Sequence, residues 1–289
     1  EPAHGKPHAN RSKVVGYFTD WGIYDRQYFV KNIETSGSAD RLTHINYAFG
    51  NVTDGKCALG DPWADTDKPF SAAESVDGVA DTADQPLAGN FNQLRKLKKL
   101  HPRLKVIWSF GGWSWSGGFG EAAKDRRLAK SCHDLVRGPP LGGRLRRHRP
   151  RLGVPQRLRP HLRHQRAGVL PGPHEGGARS FGKRDLVTAA ITADASPGGR
   201  IDAADYAGAA RYVDWYNPMT YDYFGTWAAT GPTAPHSPLT SYRGIPQQGN
   251  DSATTIAKLR SLGIPAHKLL LGIGFYGRGW TGVTQAKPG

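Results

Sequence analysis

Cysteine is scarce in this chain of 289 residues: only Cys57 and Cys132 occur. Two thiols do not make a disulfide scaffold, and one bridge or two free thiols are both open. No run of eighteen or more apolar residues occurs, so no membrane span and no membrane partner are expected. The eleven histidines are scattered and no metal-ligand spacing is present, so neither a metal nor any other cofactor is expected. A charged-then-apolar leader is missing too. The expectation is that any signal peptide has been removed and that residues 1–12 form a flexible start.

Acid is locally scarcer still. From Arg137 to Arg179 there is no Asp, no Lys and a single Glu, Glu175, against eleven Arg. His148, His161, His164 and His174 also fall here. Of the formal net charge of +15, this segment carries +10, and the remainder is ordinary for a soluble protein. A basic nucleic-acid-binding protein is therefore an alternative resting on one segment. That segment has no interleaved aromatics and no nucleic-acid motif, so no nucleic-acid partner is expected.

The rest of the chain alternates short apolar runs with helical patterns. Val14–Phe18, His44–Phe49, Lys105–Phe110, Leu186–Ile191, Tyr212–Met219 and Leu269–Phe275 read as buried parallel strands. Phe91–Leu100, Phe119–Val136, Ala203–Ala210 and Ala253–Leu262 read as helices between them. Such alternation over this length predicts an α/β fold, a (β/α)₈ TIM barrel spanning 13–289. Two gaps in the strand pattern make it aberrant at the fourth strand and incomplete before the last. Val52–Gly89 reads as a long loop rich in Asp, Gly and Ala, either functional or a surface insertion.

In a barrel, residues past the C-terminal strand ends build the site. Here those positions hold Asp20, Trp21 and Tyr24, then Gly111, Gly112, Trp113 and Trp115. Tyr221, Asp222, Tyr223 and Phe224 follow, and lastly Tyr276, Arg278 and Trp280. Aromatic faces stack on the apolar faces of pyranose rings, so a row of Trp and Tyr along a cleft suits a polysaccharide.

These residues resemble family 18 glycoside hydrolases, and specifically bacterial secreted chitinases. The resemblance rests on VGYFTDWGIY from Val15, SFGGW from Ser109, YNPMTYD from Tyr216 and GIGFYGRGW from Gly272, in that order. It covers Lys13–Val136 and Phe181–Gly289. It implies a retaining, substrate-assisted hydrolysis of β-1,4-linked N-acetylglucosamine polymers, an exception to the two-carboxylate scheme. The substrate's acetamido oxygen attacks the anomeric carbon while a Glu protonates the leaving oxygen. The resemblance makes Tyr221 and Asp222 the catalytic candidates, with Tyr221 bonding the acetamido group. It makes Tyr17, Trp21, Phe49, Gly111, Gly112, Trp113, Met219, Tyr276 and Arg278 the substrate-binding candidates. A secreted, extracellular monomer binding chitin and its oligosaccharides is implied. A catalytically dead chitin-binding lectin of the same fold is the alternative.

The family's defining D-x-x-D-x-D-x-E signature belongs on the fourth strand and is absent. In its place stands Arg146-Arg147-His148-Arg149-Pro150-Arg151-Leu152-Gly153-Val154-Pro155. A proline and four arginines there argue against a buried parallel strand. The genetic code offers an account. One synonymous choice of codons for this stretch is CGA CGG CAT CGA CCT CGA CTG GGA GTA CCC, followed by C. Read one base later, they give Asp-Gly-Ile-Asp-Leu-Asp-Trp-Glu-Tyr-Pro, the complete signature. A pair of compensating frame changes bounding Arg137–Arg179 is the hypothesis. On it, Gly153 stands where the acid Glu belongs, and Arg149 and Arg151 where the nearest Asp residues belong.

Overall fold

A computed structural model describes residues 12–119, 126–137, 151–153 and 185–284. Its strands are β1 (Val15–Thr19), β2 (His44–Thr53), β3 (Lys56–Ala58), β4 (Lys105–Phe110), β5 (Arg151–Gly153), β6 (Val187–Ile191) and β7 (Trp215–Pro218). Six of them run parallel in the order β1-β2-β4-β5-β6-β7, and β3 folds back antiparallel on β2. β4 is buried along nearly its whole length and β6 throughout, as expected of strands covered on both faces.

The helices are α1 (Val30–Thr35), α2 (Ser38–Arg41), α3 (Gly89–Leu100), α4 (Gly112–Trp115), α5 (Arg126–Arg137), α6 (Tyr206–Ala209) and α7 (Ser252–Ser261). α3 buries Phe91, Leu94 and Leu97, spaced by three, and carries Lys98 and Lys99 in its last turn, where cations favour the helix dipole. Asp251 starts α7 by accepting from Thr254 N at 2.8 Å, and Asp205 starts α6 by accepting from Gly208 N at 2.7 Å. The expected third helix shortens to α6. The expected Phe119–Val136 helix is seen as α5, with 120–125 outside the described residues.

The sheet path curls. Trp215 of β7 lies edge-on to His44 of β2 with centroids 5.0 Å apart, and Lys13 Nζ sits 5.4 Å from the same ring. The two ends of the strand order thus approach each other, as in a barrel wall. Among the described residues the ring stays open.

Three expectations need correction. Strand four exists: Arg151, Leu152 and Gly153 pair in register with Ile107, Trp108 and Ser109, and Leu152 and Gly153 pair with Val187 and Thr188. A parallel ladder is made by backbone groups, and three residues placed after Pro150 need no donor from its ring nitrogen. The Leu269–Phe275 run makes only one bridge, Leu269 with Tyr216, and leaves Leu271, Ile273 and Phe275 exposed. It is not a buried strand, because no neighbour among the described residues covers its outer edge. The Val52–Gly89 stretch is not structureless: it holds β3 and a wide helical turn at Trp63–Asp67, which packs on α3.

Cys57 and Cys132 form a disulfide, tying β3 to α5. Cys57 N also donates to Ser131 Oγ at 3.0 Å, on the same helix.

Candidate active site

Two groups of predicted residues gather at the C-terminal ends of the strands. The first surrounds Phe49. Trp21 stacks on it with centroids 5.9 Å apart. Gly112, with φ of 66°, passes so close beneath that a Cβ would lie 2.8 Å from Phe49 Cε2. Gly111 N donates to Gly50 O at 2.8 Å, fixing the turn after β4 to the end of β2. Trp113 follows on α4 and is 74% exposed, an aromatic face open to solvent on this rim.

The second group surrounds Asp222, which adopts φ of 57° just past β7. Arg278 grips its Oδ1 through Nε at 2.8 Å and Nη2 at 2.7 Å. The guanidinium also lies 5.6 Å from the Tyr276 centroid and 5.2 Å from that of Trp227. Tyr276 meets Tyr221 edge-on at 6.2 Å. Met219 N donates to Ile191 O at 2.9 Å, so the chain remains pinned to β6 until just before the Tyr221 turn.

Burial pushes the Tyr221 hydroxyl up to about 12, with Tyr17 and Asp222 reinforcing the shift. It therefore keeps its proton and remains a hydrogen-bond donor. Tyr17 of β1, half exposed, is thus close enough to act electrostatically on Tyr221. Burial, then the Asp222 carboxylate, raise the Tyr276 hydroxyl as well.

Sequence reasoning placed Asp20 at a strand end without a role and missed the support it gives the first group. Asp20 is buried and accepts from Trp21 N at 2.7 Å and Phe49 N at 3.2 Å. Asn90 of α3 donates to Asp20 O at 3.4 Å and to Tyr47 Oη at 3.3 Å. Tyr47 OH donates in turn to Asp65 Oδ1. Asp65 Oδ2 accepts from Gly60 N at 3.2 Å and Asp61 N at 3.3 Å, and Tyr24 OH donates to Asp61 Oδ2 at 2.6 Å. The network ties the long loop to the backbone carrying Trp21 and Phe49. An Asp between a strand and a Trp was the one visible signal for Asp20. Nothing in the loop composition marked Asp65.

Burial raises Asp20 to about 6 and Asp65 to about 7, against the hydrogen bonds each accepts. Their ordinary value in the unfolded chain is about 3.9. Between about 4 and 7 the folded state holds protons that the unfolded state has released. Stability from these acids is complete below the unfolded value and is lost as pH rises through the folded ones. The slope is about 1.4 kcal/mol per pH unit for each proton taken up. Asp65→Asn is expected to flatten the dependence of thermal midpoint on pH across this window. Parallel curves for variant and parent would refute that.

The described residues hold no cluster of three or more His, Cys, Asp or Glu fit for a metal. On β5 the three residues are Arg, Leu and Gly, so no carboxylate is supplied there.

The comparisons fit this geometry. The chain matches Glycosyl hydrolases family 18 over residues 13–143 and 156–289. The stretch left out, 144–155, contains the fourth-strand decapeptide, while the match reaches further into the arginine-rich segment than the motifs did. Chitinase C of Streptomyces lividans is 56% identical over 99% of this chain and 46% of its own length. Chitinase 63 of Streptomyces plicatus is 54% identical over 99% of this chain and 47% of its own. The chain thus spans about half the length of these curated relatives. The catalytic domain of psychrophilic chitinase B from Arthrobacter TAD20 superposes with a TM-score of 0.80 at 30% identity, covering 96% of this chain and 74% of that one. The chain belongs to glycosyl hydrolase family 18, and its fold is the TIM barrel of that family's solved chitinases.

Proposed function

We propose that this family 18 chain is the catalytic scaffold of a secreted chitinase, with the residues from Lys13 onward acting as one barrel domain. The observation that carries the reading is a convergence at the strand ends. Tyr221 and an Asp222 braced by Arg278 share one rim with Tyr17, and Trp21 stacked on Phe49 forms another. In this reading the aromatic rims, Trp113 included, bind pyranose faces. Tyr276 and Met219 line the subsite, and the Gly111–Gly112 turn lets sugar approach the backbone. Tyr221 keeps its proton and donates a hydrogen bond to the acetamido group, whose oxygen attacks the anomeric carbon as the bond to the leaving sugar breaks.

The proton for that leaving oxygen has to come from the fourth strand. As written, the position carries Gly153. Loss of a general acid costs a factor of about 100 to 10,000 in rate. The chain as written therefore binds chitin oligosaccharides and turns them over slowly at best. The chitin-binding lectin is the second reading, favoured by the missing carboxylate on β5. Release of soluble oligomers from chitin supports the enzyme, whereas retention on chitin beads without release supports the lectin. Salt-sensitive binding to duplex DNA in place of both would overturn the carbohydrate reading.

The Cys57–Cys132 bridge fits an oxidising compartment and so the secreted reading. Tyr221→Phe removes one hydrogen bond to sugar and is expected to weaken binding of an N-acetylglucosamine pentamer about five- to tenfold. Titration by tryptophan fluorescence measures it, and unchanged affinity in a folded variant would remove Tyr221 from the site.

A further inference from the structure

His236 lies fourteen residues beyond Asp222, in irregular chain, and matches no motif. Its ring nevertheless joins the two strand-end segments of the second group. Asp222 N donates to His236 Nδ1 at 3.2 Å, and His236 Nε2 lies 2.9 Å from Tyr276 O. A backbone amide can only donate and a carbonyl can only accept. Both contacts are made together by the tautomer with its proton on Nε2 and Nδ1 bare, and the Asp222 amide at 3.2 Å is nearer to Nδ1 than Asp222 Oδ1 at 3.8 Å.

Other contacts hold the imidazole in that pose. It stacks on the Tyr276 ring with centroids 4.8 Å apart. Gly274 makes room, since a Cβ there would lie 2.9 Å from Tyr276 Cε1 and 3.3 Å from His236 Cε1. The His236 carbonyl accepts from Tyr223 N at 2.9 Å. Next to it, Ser237 Oγ donates to Thr220 O at 2.6 Å, while Thr220 Oγ1 donates to Gly272 O at 2.6 Å. The His236–Ser237 pair thus holds residues 220, 222 and 223 on one side and, through Tyr276 and Gly272, the other segment.

We infer that His236 is a positioning residue for the sugar subsite, its Nε2–H tautomer clamping the Tyr221–Asp222 turn to the Tyr276–Arg278 segment. The inference rests on the groove reading above. Asp222 sits at a positive φ, a conformation of low intrinsic population for a residue other than glycine. Arg278 fixes its carboxylate but leaves its amide to His236. With the amide released, the turn loses the contact that sets its backbone, and the Tyr221 hydroxyl loses its aim.

Three variants separate this role from simple packing. His236→Asn keeps an acceptor where Nδ1 lies. His236→Gln offers a donor where Nε2 lies and loses the acceptor. His236→Ala loses both. Affinity for an N-acetylglucosamine pentamer is expected to fall about tenfold in His236→Ala and His236→Gln, and to stay within about threefold of the parent in His236→Asn. Equal loss in all three, or no loss in a folded His236→Ala, overturns the inference. Nitrogen-15 spectra of the unliganded protein under mildly alkaline conditions give a readout that needs no sugar, with the signal assigned by its absence in His236→Asn. A protonated Nε2 and bare Nδ1 are expected, and a proton on Nδ1 overturns the inference. A parent chain that binds no pentamer refutes the groove reading by itself, while the spectrum still decides the tautomer.

Discussion

Replacing Arg146–Pro155 with Asp-Gly-Ile-Asp-Leu-Asp-Trp-Glu-Tyr-Pro is expected to raise hydrolysis of N-acetylglucosamine oligomers by a factor of about 100 to 10,000. That range corresponds to about 3–5 kcal/mol of transition-state stabilisation. The argument is positional. Gly153 pairs with Ser109 on one side and Thr188 on the other, at the C-terminal end of β5. A Glu there starts from the rim that carries the Gly111 turn. Gly153→Glu alone is expected to recover less. It leaves Arg151 on the same strand, and a nearby cation favours the ionised carboxylate and makes it a poorer acid. The recoded strand places Asp there instead, which favours the protonated Glu. Oligomer release by parent, single variant and recoded chain measures the order. A folded recoded chain no faster than the parent would refute the substrate-assisted reading of this groove. Peptide mass mapping addresses the frame hypothesis separately: a peptide containing Arg149–Pro150 from the native protein excludes it.

The parts of the fold that sequence made legible are those whose side chains must obey a period. β4 and β6 are continuous apolar runs and appear where expected. α3 and α7 follow from spacing and from their ends. The strand-end aromatics were legible for a related reason, because a barrel gathers whatever lies past its strands. Other features depend on backbone or long-range partners and leave no local trace. β5 forms although its side chains argue against it, since its ladder uses only main-chain groups. Leu269–Phe275 looks like a buried strand and is not one, because burial requires a covering neighbour. Asp65 reaches Tyr47 across eighteen positions and His236 reaches Tyr276 across forty, distances over which no periodic pattern survives.

Cys132→Ser is expected to lower stability by about 4 kcal/mol, because the bridge to Cys57 closes a loop of 75 residues whose freedom it removes from the unfolded chain. For a domain of this size that corresponds to roughly 8–16 °C in thermal midpoint. The loss should be felt unevenly. The bridge holds the β3 hairpin against α5, and β3 extends from β2, the strand that carries Phe49. The Asp20–Asn90–Tyr47–Asp65 network also anchors the Phe49 end of β2, through α3 and the Trp63–Asp67 turn. With two independent anchors, breaking the disulfide should reduce the midpoint without abolishing pentamer binding at low temperature. Scanning calorimetry with and without a thiol reductant tests the first part, and fluorescence titration of the reduced protein tests the second. A midpoint indifferent to reduction would mean that the bridge does not form in solution. Binding lost together with the bridge would mean that the aspartate network cannot hold the Phe49 platform alone.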